Sequence, residues 1–336
     1  MKQKVLHKKN NEIERNRWQE LVIHSSTASF FQTPECYDFY ESLPSLEPFV
    51  FGVLENEKLV GLCCGYVIAN GGKVEQFFSR RAIIPGGILL ADDISTDALL
   101  ALLEFAKKEI SKKTIYIEIR NYNDYSSVRQ TIEDTGFVYK PHLNIQVPTV
   151  DVNSALKKLS ESKRRQLKQN ERANVVCEES KNLDDLRSFY KQLNQLYTKK
   201  IKKPLFPFAF FEKLLAQPFT HFFVVKIDCQ IVGGIVCVAH QSKVLYEWFI
   251  CGDDKKRQGI YPSLAATWQA IKYAAENKFD YFDFMGAGNP KKEYGVRNFK
   301  SRFGGNEVEY GRFLHICKPR LFVFVKICFK FYKYIR

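Results

Sequence analysis

Residues 49–67 read FVFGVLENEKLVGLCCGYV, and residues 222–239 read FFVVKIDCQIVGGIVCVA. Each is an apolar run, a short polar turn and a second apolar run with glycine near its start: Gly61 in one, Gly233 and Gly234 in the other. Apolar runs of this length joined by a tight polar turn specify a β-hairpin. Each hairpin leads to a helix and then to a strand. The first helix reads STDALLALLEFAKKEI, with Ser95 or Thr96 placed to cap it, and TIYIEIR follows. The second reads YPSLAATWQAIKYAAEN, with Pro262 in its first turn, and FDYFDFM follows. The two sets are offset by close to 170 residues.

Hairpin, helix and strand repeated in one order predict a duplicated unit. The expected class is α/β (α+β): two tandem domains, each a mostly antiparallel mixed sheet flanked by helices. Pro148 ends an apolar run, and Asp151 or Asn153 can cap a new helix, so the boundary is expected near 150. That gives a first domain over 1–150, a second over 151–318 and a C-terminal segment over 319–336.

The 336 residues are 45% apolar and 14% aromatic, enough for two cores. Nine cysteines occur without paired CxxC spacing, mostly inside apolar runs, which predicts buried reduced thiols, a cytoplasmic setting and no metal site. The first 18 residues lack the apolar segment of a signal peptide, and no run of 18 apolar residues is present to span a membrane. The net charge of +14 is one-sided. Residues 1–150 hold 17 Lys/Arg against 19 Asp/Glu, net −2, whereas 151–336 hold 34 against 18, net +16. Such a field attracts polyanions or an anionic surface.

After the strand FDYFDFM come GAGNP and KKEYGVRNFKSRFGG. Small residues at a strand end allow close approach of a ligand, and strand ends are common sites in α/β sheets. Lys291, Lys292, Arg297, Lys300 and Arg302 stand there among Tyr294, Phe299 and Phe303, a mixture suited to phosphates and stackable bases; the plainer alternative is a basic loop. Lys163, Arg164, Arg165, Lys168 and Arg172 are spread around the helix predicted for 160–174, either as a polyanion contact or as a solvated charged surface.

In this order, SFFQTPECYDFY (29–40), IPGGILLADD (84–93), SKRRQLKQNERANV (162–175), FYKQLNQLYTKK (189–200), YFDFMGAG and GVRNFKSRFGG make the chain resemble the Fem peptidyltransferases (FemA, FemB, FemX) over residues 18–315. Members of that family have tandem acyltransferase-like (GNAT) domains and move amino acids from aminoacyl-tRNA to the peptide of a cell-wall precursor. The resemblance implies that Phe299 and Lys300 match the family's late Phe-Lys pair, with Lys300 beside the transferring ester as an oxyanion or phosphate partner. Arg297, Lys292 and Arg302 would join Phe299 in donor binding. Asp92, with Asp93 next to it, matches the acidic residue near the acceptor amine, where a carboxylate orients the amine and takes its proton; the alternative is a turn before the helix. Asp283 reads as structural, holding the loop that carries Lys300. Where the family carries an Arg and a Tyr for its precursor, this chain reads KKPLFPFAFF (202–211), so a lipid-linked glycan or amino sugar stays open as acceptor. Tyr246 and Trp248 are candidates to line the acceptor cleft, with core packing as the alternative.

The segment KPRLFVFVKICFKFYKYIR places Lys326, Lys330, Lys333 and Arg336 along one helical face. A cationic, aromatic amphipathic helix suits the headgroup layer at the inner face of an anionic membrane; the alternative is packing on the second domain or a dimer contact.

The leading expectation is therefore aminoacyl or acyl transfer from aminoacyl-tRNA to an amine of a cell-envelope precursor, with no resident cofactor. Positioning does most of the work, because the ester is already activated. His7, His24, His142, His221, His240 and His315 have no partners at motif spacing. A second reading is acyl-CoA-dependent N-acyltransfer, with KKRQGIYPSL (255–264) as the pyrophosphate turn; there Pro262 has no N–H to donate. A third is a non-enzymatic module binding nucleic acid or a membrane surface.

Overall fold

The computed structural model describes residues 5–69, 71–254, 258–325 and 327. The first unit starts with β1 (Val5–Lys9), α1 (Arg15–His24) and α2 (Pro34–Glu41), then the hairpin β2 (Glu47–Glu55) and β3 (Lys58–Ile68). It continues through α3 (Lys73–Ser79), β4 (Arg81–Gly86), β5 (Leu89–Leu90), α4 (Thr96–Ser111), β6 (Tyr116–Asn121), α5 (Arg129–Asp134) and β7 (Val138–Lys140). The second unit runs through β8 (Leu143–Pro148), α6 (Val152–Lys158), α7 (Glu161–Arg172), β9 (Val176–Glu179), α8 (Leu183–Leu196) and α9 (Phe208–Leu215). The hairpin β10 (Thr220–Ile227) and β11 (Gln230–His240) is next, then β12 (Val244–Gly252), α10 (Pro262–Glu276), β13 (Tyr281–Asp283), α11 (Gly295–Ser301) and β14 (Asn306–Glu309). The last strand is β15 (Arg312–Ile316).

The two hairpins agree residue by residue. Each turns through two left-handed residues, Asn56-Glu57 and Asp228-Cys229, the conformation that matches strand twist in a two-residue turn. Each has a bulge at the same place. Val53 faces Gly61 and Leu54 faces Leu59, leaving Val60 extra; Val225 faces Gly233 and Lys226 faces Ile231, leaving Val232 extra. The carbonyls of both bulged residues are used alike, accepting from Ala91 N–H (2.8 Å) and Asp253 N–H (3.0 Å). Gly61 and Gly233 are both crowded by the following helix: a Cβ would lie 3.0 Å from Leu102 of α4 in one unit and 3.0 Å from Pro262 of α10 in the other, where the Cys251 carbonyl oxygen would also be 2.9 Å away.

The helices form where their caps predict. Ser95 Oγ accepts from Ala98 N–H, and α4 buries Ala98, Leu99, Leu102, Leu103, Ala106 and Ile110 against the first sheet. α10 has Pro262 at its first position and buries Leu264, Ala266, Ala270, Ile271 and Ala274 in the second core.

The first sheet has the order β1-β2-β3-β4-β6-β15-β7, with β5 on β3; the second has β14-β8-β13-β12-β11-β10-β9. Each contains one parallel pair, β4 with β6 and β12 with β13. The boundary expected near 150 does not hold. β8 pairs with β13 and β14 in the second sheet, and β15 pairs with β6 and β7 in the first. The units are residues 1–141 together with the segment from Tyr310, and His142–Glu309. The two closing strands are thus exchanged in the chain. Pro148 marks the end of β8, and Asp151, whose side chain accepts from Ser154 N–H, caps α6 inside the second unit.

Residues 319–325 are helical and belong with the first unit, not the second. Phe322 meets Tyr116 of β6 at 5.6 Å between ring centroids, and Phe324 meets Phe78 of α3 at 6.0 Å. Lys326, Lys330, Lys333 and Arg336, the face expected to be cationic, lie outside the described residues.

Candidate active site

The strand-end glycine loop of the second unit is held by its own carboxylate. Asp283, at the end of β13, is fully buried. It accepts from Met285 N–H (2.6 Å), from Asn144 Nδ2 on β8 (2.8 and 2.9 Å) and from Gln146 Nε2 (3.0 Å). Burial raises its pKa; these donors act against that shift. Asn144 Oδ1 in turn accepts from Gly286 N–H at 2.8 Å. Ala287 N–H donates to Leu143 O (2.6 Å), and Leu143 N–H donates to Gly288 O (2.8 Å). Met285 is left-handed at φ 54°, a conformation that costs energy for a non-glycine residue and is kept here by the Asp283 contact.

Lys300, on α11, closes the same loop. Its ammonium donates to Phe284 O at 2.8 Å and Gly286 O at 3.1 Å and stands 2.9 Å from Glu247 Oε1. These three acceptors match its three N–H groups. Glu247 is the first residue of β12 beyond the parallel pairing, which ends at Tyr246 opposite Asp283. The Lys300–Glu247 pair therefore occupies the place where β12 and β13 part. In the first unit the corresponding β4 and β6 stay paired for five residues, to Gly86 opposite Asn121. Glu247 Oε2 is buried with no hydrogen-bond partner. Burial raises the Glu247 pKa, opposed by Lys300. A buried ion pair beside a strand gap, with one carboxylate oxygen unused, can hold or pass a proton.

The expected donor-binding residues divide into two groups. Arg297 is spent on the loop itself: its guanidinium donates to Ala287 O (3.0 Å), Lys292 O (3.1 Å) and Asn289 O. Phe299 packs edge-on against Phe303 at 5.2 Å. Lys292 and Arg302 are exposed and free to meet a polyanion. Tyr246, expected along the acceptor cleft, is fully buried and offers no surface. Trp248 is half-buried within an aromatic group, edge-on to Phe210 at 5.4 Å and stacked on Phe249 at 5.6 Å. It is also the extra residue of a β12 bulge, since Val236 faces Phe249 and Cys237 faces Glu247. Bulges re-aim side chains at sites.

Two further features change the electrostatics. Lys163 is not a surface cation: it is buried on α7, with Nζ 3.8 Å from the centroid of Phe299 and 5.2 Å from that of Phe303. Burial pulls its pKa down to about 8, with Asp254 acting to raise it and Arg302 to lower it. The N-terminus of α10 is already occupied by a carboxylate, because Asp254 Oδ1 accepts from Ser263 N–H (3.1 Å) and Asp254 Oδ2 accepts from Ser263 Oγ. Lys255, Lys256 and Arg257 of the candidate pyrophosphate turn lie outside the described residues.

Asp92 is in the first unit, and its Oδ1 accepts from Ser26 Oγ (2.7 Å) and Ser26 N–H (3.0 Å). The Ser26 hydroxyl, then its N–H, lowers the Asp92 pKa. Asp92 and Asp93 lie with Arg17, Glu20, His24 and Lys58 along a cleft of about 690 Å³. Among the described residues no group of His, Cys, Asp and Glu could hold a metal ion. Glu247, Asn144 and Asp254 are site residues that the motifs did not single out. The signal for two of them was polar residues inside apolar strands, Glu247 in VLYEWFI and Asn144 in HLNIQV.

Residues 157–301 match the acetyltransferase (GNAT) domain family. No curated protein sequence matches the chain. A crystal structure of FemX aligns at TM-score 0.71 and 15% identity, covering 94% of this chain and 99% of that one. A tandem GNAT protein from the clavulanic acid biosynthesis pathway aligns at TM-score 0.59 and 9% identity, over 94% and 99%. L-PGS from Bacillus licheniformis aligns at TM-score 0.57 and 12% identity, over 93% and 96%. The fold is that of GNAT-type acyltransferases, present twice.

Proposed function

We propose that the chain is an acyltransferase of Fem type, moving an aminoacyl group from tRNA to an amine of a cell-envelope precursor and forming an amide. The observation that carries this reading is the blocked helix terminus at Asp254, Ser263 and Pro262. A CoA-dependent transferase cradles pyrophosphate on free N–H groups at such a terminus. Here the first helical position is Pro262, which has no N–H, and the next N–H is held by the Asp254 carboxylate, whose charge repels phosphate. The likeness to FemX and the basic second half fit a tRNA donor. The likeness to L-PGS fits an acceptor carried at a membrane.

In the transfer, the acceptor nitrogen forms a bond to the ester carbonyl carbon as the bond from that carbon to the ribose oxygen breaks. The nitrogen loses one proton and the leaving oxygen gains one. Lys300 lies where the ester would sit in the strand gap; exchanging its Glu247 contact for the developing oxyanion stabilises that charge. Glu247 then takes the amine proton on Oε2 and returns it to the departing ribose oxygen. Asp283 and Asn144 hold the loop, while Lys292 and Arg302 attract the tRNA backbone. Trp248 is the acceptor-side candidate of this unit.

The second reading, acyl-CoA-dependent N-acyltransfer, is favoured by the family match over 157–301. Melting with a stable aminoacyl-tRNA analogue and, separately, with acetyl-CoA tells them apart, because a ligand of the native state raises Tm. The tRNA analogue alone is expected to do so. A rise with acetyl-CoA alone, accompanied by acetyl transfer, would replace the first reading with the second.

A further inference from the structure

We propose that the first unit docks on an anionic lipid surface through an apolar patch built jointly by α3 and the helical segment 319–325. Phe77 of α3 is 60% exposed, and Val323, Phe324 and Ile327 are 55%, 54% and 48% exposed. They form one surface, because Phe324 packs on Phe78 and Phe77 on Phe78 at 5.2 Å. The C-terminal helix is fixed from beneath by Phe322 on Tyr116. Its anchored side is therefore satisfied, and its outward side is still apolar.

A helix facing water would carry polar residues there. Positions 320, 323, 324 and 327 share one helical side, and they hold Arg320, Val323, Phe324 and Ile327. Contiguous exposed rings mark an interaction surface rather than scattered surface apolars. Charge selects the partner. Arg320 is exposed on the same helical side as Val323, Phe324 and Ile327, and residues 318–325 hold no Asp or Glu. Rings at the acyl boundary with cations among the headgroups are the pattern of a helix lying in the interface of an anionic bilayer. No helix among the described residues is long and apolar enough to cross a membrane. The inference does not depend on which donor the second unit uses.

The test is sedimentation of the full chain with vesicles of phosphatidylglycerol and phosphatidylcholine, against vesicles of phosphatidylcholine alone. Binding is expected to the first and little to the second, falling as salt rises. The double variant Phe77→Asp, Phe324→Asp should bind roughly tenfold more weakly, and Arg320→Glu should weaken binding without changing the melting temperature. Both aromatic positions are exposed, so the double variant keeps its fold, which its melting curve checks. Equal binding by the variant and the unmodified chain, or no binding to either vesicle, overturns the proposal. So does a stable dimer in solution that Phe324→Asp dissociates, since a second copy would then cover this surface.

Discussion

The ammonium of Lys300 stands 2.9 Å from Glu247 Oε1, and the two residues are 9% and 5% exposed. Two opposite charges are thus withdrawn from water where the parallel strands β12 and β13 separate. Removing one partner leaves the other buried and uncompensated, a loss of about 3–5 kcal/mol. Lys300→Ala is therefore expected to lower the melting temperature as well as transfer. The double variant Lys300→Met, Glu247→Gln should recover most of the stability and none of the transfer. Activity in that double variant equal to the unmodified chain would remove both residues from the chemistry.

Glu247→Gln alone tests proton transfer at constant side-chain volume, at a cost in stability because the Lys300 charge loses its counter-charge. The amide fills the same volume and still accepts from Lys300, but it takes no proton. Transfer measured against pH should lose its rising acid limb, while binding of the tRNA analogue stays within about twofold. An unchanged pH profile would contradict the proton role of Glu247.

Lys163 predicts a stability that grows with alkalinity. Its folded pKa is about 8, below the ordinary lysine value of about 10.4. Between these values the unfolded chain binds more protons than the native one, so stability rises with pH from about 8 to about 10. Below pH 8 the native state carries the full cost of a buried charge. Lys163→Met should raise the melting temperature at pH 7 and have little effect near pH 10.5. Equal shifts at both pH values would contradict the buried charge.

Glu118 predicts a second rise of stability with pH, at the acid end. On β6 it pairs with Arg120 at 2.7 Å and with Arg312 of β15 at 3.0 Å. Burial works against its ionised form, yet Arg120 and Arg312 outweigh it and hold the pKa down to about 2. The resulting stability is present above the ordinary glutamate range and is lost as pH falls from about 4.5 to about 2. Glu118→Gln should cost about 2–3 kcal/mol at pH 7 and almost nothing near pH 2, read from denaturant melts.

Asp254→Ala removes the cap of α10. A loss of about 1 kcal/mol is expected, a fall of roughly 2–4 °C in Tm. If the mutated terminus gained acetyl-CoA binding, Asp254 would be the barrier; Pro262 predicts that it does not.

The hairpins, α4 and α10 were legible because apolar periodicity and caps are local signals. The site was legible only in part. Lys300 stood out by motif, but its partner Glu247 lies 53 positions away in the chain, and nothing local pairs them. Lys163 reads as one of several helix cations, because helical spacing alone does not show that Phe299 and Phe303 cover it. Tyr246 and Trp248 read as one side of a strand by alternation, but the bulge at Trp248 breaks that alternation, and Tyr246 takes the core position that was its alternative. The exchange of β8 and β15 was invisible, since a strand keeps its alternation whichever sheet receives it.

That exchange orders events on the ribosome. β6 and β7 are synthesised long before β15, the strand that lies between them. A nascent chain of 300 residues already holds β8 to β13 and leaves the earlier sheet with an empty slot. The first-made half is therefore the last to finish, and polypeptides released early would expose two unpaired edges to any neighbouring strand.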